Sequence, residues 1–230
     1  HLVAIARAAG IIINWDDFDA ISNITPLLAR IYPNGKADVN QFEASGGIAF
    51  IIHELLKKGL LHDDVDTIMG KSMQSYTQNP FLIDNKIVYK QGVTISKNEN
   101  ILRNIENPFS SDGGVKILRG NIGRAVIKIS SVKKEHQIIK APALVFYSQE
   151  EFLQSFQNKE LQRDFIAVIP YQGPKANGMP ELHKLTPPLG ILQDQGFKVA
   201  LITDGRMSGA SGKVPAAIHM SPEALLEGNI

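Results

Sequence analysis

The spacing of apolar positions changes along the chain, and the change divides it. From residue 1 to about 75 the period is helical. Leu2, Ile5, Ala6 and Ala9 recur at helical intervals, and Gly10 stands where a C-cap is expected. Thr25-Pro26 ahead of Leu27-Leu28 predicts an N-cap followed by proline at the first helical position. Asp38 predicts the cap of another helix, running through Phe42. Ile48 to Lys58 predicts a buried helix with Lys57, Lys58 and Gly59 at its C-terminal end. Residues 76–110 are polar, carry Asn79-Pro80 and Asn107-Pro108, and predict a connection with a hairpin or two.

After Gly113-Gly114 the pattern becomes β. Val115 to Leu118, Ala125 to Ile129 and Gln137 to Ile139 are short strand candidates. Ala143 to Tyr147 predicts a buried strand, and Ser148-Gln149-Glu150-Glu151 predicts a capping box opening a short helix. Phe165 to Pro170 is the next strand. A helical segment follows, interrupted by Pro187-Pro188 and closed by Gly196, and then Lys198 to Thr203 forms a third strand. The β-α-β-α-β order implies parallel strands joined by helical crossovers.

The expected class is α/β. Residues 1–95 are expected to be the helical tail of an N-terminal α/β domain plus a connection. Residues 96–230 are expected to form a mixed-sheet C-terminal domain with flanking helices. In such sheets ligands bind beyond the carboxyl ends of the strands. Two segments lie at consecutive carboxyl ends, Gln172 to Glu181 and Asp204 to Lys213. If their strands are neighbours, the two share one cleft.

Composition narrows the chemistry. Of 230 residues, 24 are basic and 23 acidic, a formal charge of +1, which gives no electrostatic reason to expect nucleic acid or an anionic membrane as partner. Cysteine is absent, which excludes disulfides and thiolate ligation of zinc or an iron–sulfur cluster by this chain. No apolar run approaches the roughly 20 residues of a membrane span. The opening residues lack the features of a signal peptide, so a cytoplasmic protein is expected. His1 is not an initiator methionine, and the chain is expected to be a piece of a longer polypeptide.

The second segment carries Gly205, Gly209 and Gly212 around two serines, with Arg206 and Lys213 beside them. Glycine lets backbone N–H groups approach an anion, so the turn suits a phosphate or carboxylate; a tight turn that merely needs glycine reads the same way. It is not a P-loop, because the required Gly and Lys-Ser/Thr spacing is absent. Ser208 is a candidate proton acceptor only if a nearby cation or donor lowers its pKa; otherwise it only satisfies the turn. Glu181, after Gly178-Met179-Pro180, is a candidate hard-metal ligand or simply a carboxylate suited to a helix start. The six histidines show no metal spacing. His183 is in reach of the cleft, and His219 follows the strand-like Val214 to Ile218; most histidines read as structural. Trp15 reads as a packing anchor.

Together the two segments are more specific than either alone. Gly173-Pro174-Lys175-Ala176-Asn177-Gly178-Met179-Pro180-Glu181-Leu182-His183-Lys184 and Thr203-Asp204-Gly205-Arg206-Met207-Ser208-Gly209-Ala210-Ser211-Gly212-Lys213-Val214-Pro215 resemble the dihydroxy-acid and sugar-acid dehydratase family. Further matching stretches are His1 to Gly10, Tyr32 to Gly35 and Gly113 to Asn121, so the resemblance covers nearly the whole chain. It implies loss of water from a 2,3-dihydroxy acid to give a 2-keto-3-deoxy acid. It also implies a barrel-like C-terminal domain, a [4Fe-4S] cluster whose cysteines lie outside this chain, and magnesium in some relatives. By resemblance Ser208 is the catalytic serine and Glu181 a magnesium ligand. Lys175-Ala176-Asn177 and Ser211 to Pro215 fit the subgroup acting on 6-phosphogluconate in the Entner–Doudoroff pathway. Arg206, Ser211, Lys213 and Lys175 are then the expected substrate-binding residues. The expected partners are the missing N-terminal part of the same enzyme and, in the intact enzyme, a second copy in a homodimer. Alternatives are a dehydratase of a branched-chain dihydroxy acid or unphosphorylated sugar acid, and a non-catalytic module binding a phosphometabolite or a partner chain.

Overall fold

The computed structural model describes residues 2–207 and 212–230. The chain divides into two compact units, His1–Ser22 with Gly114–Ile230, and Asn23–Gly113. In chain order the first helices are α1 (Leu2–Ala8) and α2 (Trp15–Ile24).

The unit of residues 23–113 contains α3 (Val39–Ser45) and α4 (Gly47–Lys57). Asp38 caps α3 as expected: its carboxylate accepts from Gln41 N at 2.8 Å, and Gln41 Oε1 accepts from Asp38 N at 3.0 Å. Phe42 and Phe50 pack with Ile101 and Leu102 in the core. Buried Glu54 accepts from Ile105 N at 2.9 Å, which fixes the 98–107 segment against α4. Two hairpins follow α4. One pairs β1 (Asp66–Thr67) with β2 (Gly70–Lys71); the other pairs β3 (Gln78–Ile83) with β4 (Lys86–Gln91). Asp84 and Asn85 turn the second with φ of 49° and 61°, the left-handed pair that a two-residue hairpin loop needs.

The helix expected after Thr25-Pro26 is not formed. Leu27, Ala29 and Ile31 instead make isolated bridges to Ser110, Leu102 and Ala37. Leu27 N donates to Ser110 O at 3.0 Å and Arg103 N to Leu28 O at 2.8 Å. Extended backbone buries Leu28 against the 101–110 segment, and this tertiary pairing overrides the local capping signal.

The other unit is built on one sheet. Its elements are β5 (Val115–Gly120), β6 (Gly123–Lys128), β7 (Ala143–Val145), α5 (Gln149–Gln157), β8 (Phe165–Ile169), α6 (Pro174–Asn177), α7 (Thr186–Asp194), β9 (Val199–Thr203) and β10 (Ala216–Ser221). The strand order is β5-β6-β10-β9-β8-β7, with β7 to β10 parallel and β5 and β6 antiparallel. Helices α5 and α7 are the crossovers. Phe152 from α5 and Leu189 and Leu192 from α7 join Phe165, Val199 and Leu201 in one buried cluster. This is the expected mixed sheet with flanking helices.

No closed barrel is present among the described residues; β5 and β7 are the ends of the sheet. Helix α2 covers the β5 edge instead. Ser22 Oγ accepts from Val115 N and Asp19 Oδ1 from Ile117 N, both at 3.1 Å, and Asp16 pairs with Arg119. Every third residue of the helix thus meets every second residue of the strand, so the free strand donors find acceptors without closure.

Three smaller expectations are corrected. Gln137 to Ile139 is not a strand: it follows a short 3-10 turn at Lys134–His136, and Ile138 is 87% exposed with no pairing strand. The strand at Ala143 is an edge strand of three residues rather than a buried one, with Val145 exposed. Pro187 and Pro188 do not interrupt a helix; they start α7, where the missing N–H groups cost nothing. No helix among the described residues is long and apolar enough to cross a membrane.

Candidate active site

Strands β8 and β9 are neighbours, so the segments that follow them meet at one end of the sheet. Beyond β8 the chain turns through Tyr171, whose φ is +60°, into Gln172, Gly173 and α6. Beyond β9 it passes through Asp204, Gly205 and Arg206.

Asp204 ties this end together. It is 1% exposed. One carboxylate oxygen accepts from Gln172 N at 2.8 Å and the other from Ala224 N at 3.0 Å. A single side chain therefore joins the two loops to the 3-10 turn that follows β10. A second buried carboxylate, Glu223, accepts from Lys175 N at 3.2 Å. A Cβ on Gly173 would stand 2.0 Å from Glu223 Oε2, so a larger residue there would displace the carboxylate from Lys175 N.

Gly205 has the same use. Its N–H donates to Thr203 Oγ1 at 3.0 Å and its carbonyl accepts from His219 N at 2.9 Å, so both backbone groups are engaged within the protein rather than turned to a ligand. A Cβ there would lie 2.7 Å from Gln172 Cβ and 3.0 Å from Leu182 Cδ1, both on buried residues. Gly205→Ala is expected to destabilise the protein by about 1–3 kcal/mol. Thermal unfolding measures this; an unchanged midpoint would contradict the close packing of the two loops.

Arg206 and Glu181 are brought together. Arg206 Nη1 donates to Glu181 Oε2 at 2.6 Å and Arg206 Nε to Met179 O at 3.0 Å. Leu182 N returns a bond to Arg206 O at 3.2 Å. The guanidinium thus clamps the 179–181 segment along the post-β9 turn. Lys175 is exposed on α6 at the same end of the sheet.

Lys213 is elsewhere. It precedes β10, which enters the sheet with Ala216 beside Leu201, so Lys213 lies toward the amino-terminal end of β9. Its ammonium pairs with Asp194 at the end of α7, and its carbonyl accepts from Gln193 Nε2 at 3.4 Å. Ser208 and Ser211 lie outside the described residues.

A cleft of about 1190 Å³ opens beside Arg206, lined by Arg7, Trp15, Phe18, Met179 and His219 among others. His219 sits on an irregularity of β10, with the register shifting between Ile218 and Ser221 and φ at +53°. Its ring lies 5.0 Å from that of Trp15. Burial, and then the positive charge of Arg206, hold its imidazole below the usual histidine range. His183 lies on a short 3-10 turn and is exposed. Asp204, Glu223 and the Trp15–His219 contact had no local signal in the sequence. Their partners are distant along the chain, and only the position of Asp204 directly after a strand hinted at a role.

The donor set tests which cofactors this chain could hold. There is no cysteine for an iron–sulfur cluster. No group of three or more metal-ligating side chains occurs among the described residues. Glu181 is a hard oxygen donor of the kind magnesium takes, and a magnesium site commonly uses only one or two protein carboxylates.

Residues 1–78 match the family model described as dihydroxy-acid/6-phosphogluconate dehydratase N-terminal, and residues 100–230 match its C-terminal counterpart. The chain is 65% identical over 234 residues to a phosphogluconate dehydratase of Helicobacter pylori (strain J99), covering 100% of this chain and 38% of that protein. It is 56% identical over 228 residues to a phosphogluconate dehydratase of Pseudomonas aeruginosa, covering 99% of this chain and 38% of the relative. A dihydroxy-acid dehydratase of Sulfurisphaera tokodaii is 38% identical over 233 residues, with 100% of this chain and 39% of the relative covered. The chain therefore spans under two fifths of the length of these curated relatives. By these matches the chain belongs to the dihydroxy-acid/6-phosphogluconate dehydratase family.

Proposed function

We propose that this chain carries the proton-abstracting half of a hydro-lyase active site, within a longer enzyme that converts 6-phosphogluconate to 2-keto-3-deoxy-6-phosphogluconate in the Entner–Doudoroff pathway. One observation carries the choice of substrate. Relatives named phosphogluconate dehydratase are 52–65% identical to this chain, whereas a relative named dihydroxy-acid dehydratase is 38% identical.

In this reading Ser208 removes the proton from C2 of the substrate. Arg206 stands two residues before it, on a turn held by Asp204 and Gly205. A positive charge brought to the serine would favour its deprotonated form. Arg206 and exposed Lys175 lie at the same end of the sheet and attract the anionic substrate. Ser211 is proposed as a hydroxyl donor to it. Lys213 serves the phosphate end only if it leaves Asp194. Glu181 would hold magnesium, exchanging its bond with Arg206 for the ion, which when bound would acidify the C2 proton. The cluster does not fit this chain, and its ligands are assigned to the remainder of the enzyme. The proposed boundary near residue 95 is compatible with the gap between the two matched family segments, whereas the compact units divide at other residues.

Purified without oxygen, the 230-residue chain is expected to show no iron–sulfur absorbance and to form no keto acid, while the full-length enzyme is expected to show the absorbance and form the keto acid. Cluster absorbance in the chain alone would contradict the assignment of the ligands. Absence of keto acid from the cluster-loaded full-length enzyme would contradict the function.

A further inference from the structure

Within the cleft, one polar side chain is presented by a strained backbone and has no part in the chemistry above. His219 takes a left-handed φ of +53°, which costs a residue with a β-carbon about 1 kcal/mol or more. Bulges of this kind recur beside active sites, where they re-aim a side chain. Here the irregularity of β10 aims the imidazole at the cleft that Arg206 and Met179 also line. Its backbone N–H is bonded to Gly205 O, which couples it to the turn leading to Ser208. The indole of Trp15 supports one side of the ring.

Resting on the sugar-acid reading, we propose that His219 is a substrate-contacting residue that hydrogen-bonds a hydroxyl of the bound sugar acid. Burial and the positive charge of Arg206 favour the uncharged ring, which offers one donor and one acceptor. A hydroxyl, which is itself donor and acceptor, matches that pair. Arg206 and Lys175 supply the positive charge for the anionic groups, so His219 is left to select the polyol part.

Two variants separate this role from a structural one. Asparagine tolerates left-handed φ, and glycine relieves it, so neither His219→Asn nor His219→Gly strains the backbone. In the full-length enzyme both are expected to lower kcat/KM for 6-phosphogluconate by about 10- to 100-fold without a matching fall in the unfolding midpoint. Unchanged kcat/KM would overturn the proposal, and so would a loss that tracks the midpoint.

A second readout does not depend on turnover. Trp15 is the single tryptophan of this chain, so its emission reports on the cleft. Titrating 6-phosphogluconate into the 230-residue chain is expected to change that emission, and His219→Asn to weaken the response. No response, or the same response in the variant, would overturn the contact with His219. If the full-length enzyme forms no keto acid while the emission still responds through His219, the dehydration reading fails and the contact stands.

Discussion

Replacing Ser208 with alanine in the full-length enzyme is expected to lower kcat for 6-phosphogluconate by about 10²- to 10⁴-fold, the usual contribution of a positioned general base. The substitution removes one oxygen and leaves the flanking supports in place. Asp204 still holds the two loops together, Gly205 still packs on Gln172 and Leu182, and Arg206 still clamps Met179 and Glu181. KM is therefore expected to change far less than kcat, because the charges that attract the substrate remain. Steady-state assay of keto-acid formation measures both. A variant with kcat near that of the unaltered enzyme would remove Ser208 from the chemistry and move the base elsewhere.

Asp204→Ala is expected to have the largest effect on stability. Both carboxylate oxygens accept backbone N–H groups in a region shut off from water, at Gln172 and Ala224. Removing the side chain leaves two buried donors without acceptors, at about 1–3 kcal/mol each. The expected loss is about 2–5 kcal/mol by urea unfolding. Asp204→Asn keeps one acceptor oxygen and is expected to lose less. If Asp204→Ala unfolds at the same urea concentration as the unaltered protein, the carboxylate does not fasten the site as described.

The parts of this molecule that were legible in the sequence are those governed by neighbours along the chain. Asp38 and Gln41 are three residues apart and form the capping box, and the apolar runs at 165 and 199 are adjacent parallel strands. The order of strands and helices alone therefore puts the two loops at the carboxyl ends of consecutive strands. What depended on distant partners was not legible. Thr25-Pro26 carries a sound local helix signal, yet the 101–110 segment draws Leu27 to Ile31 into extended pairing. Gly205 looked like part of an anion nest, but its N–H is engaged by Thr203 and its missing Cβ is what the packing uses. Arg206 and Lys213 are seven residues apart and read as one basic cluster, but Lys213 lies toward the other end of β9 and pairs with Asp194. Trp15 and His219 meet only because the first helices belong to the same compact unit as β10.

We propose that this segment serves the dehydration of a phosphorylated sugar acid. Its most direct test is an anaerobic assay of the full-length, cluster-loaded enzyme with 6-phosphogluconate, gluconate and a branched-chain dihydroxy acid, following keto-acid formation. 6-Phosphogluconate is expected to be converted with the highest kcat/KM of the three. Preference for gluconate or the branched-chain acid, or no keto acid from any of them, would contradict it.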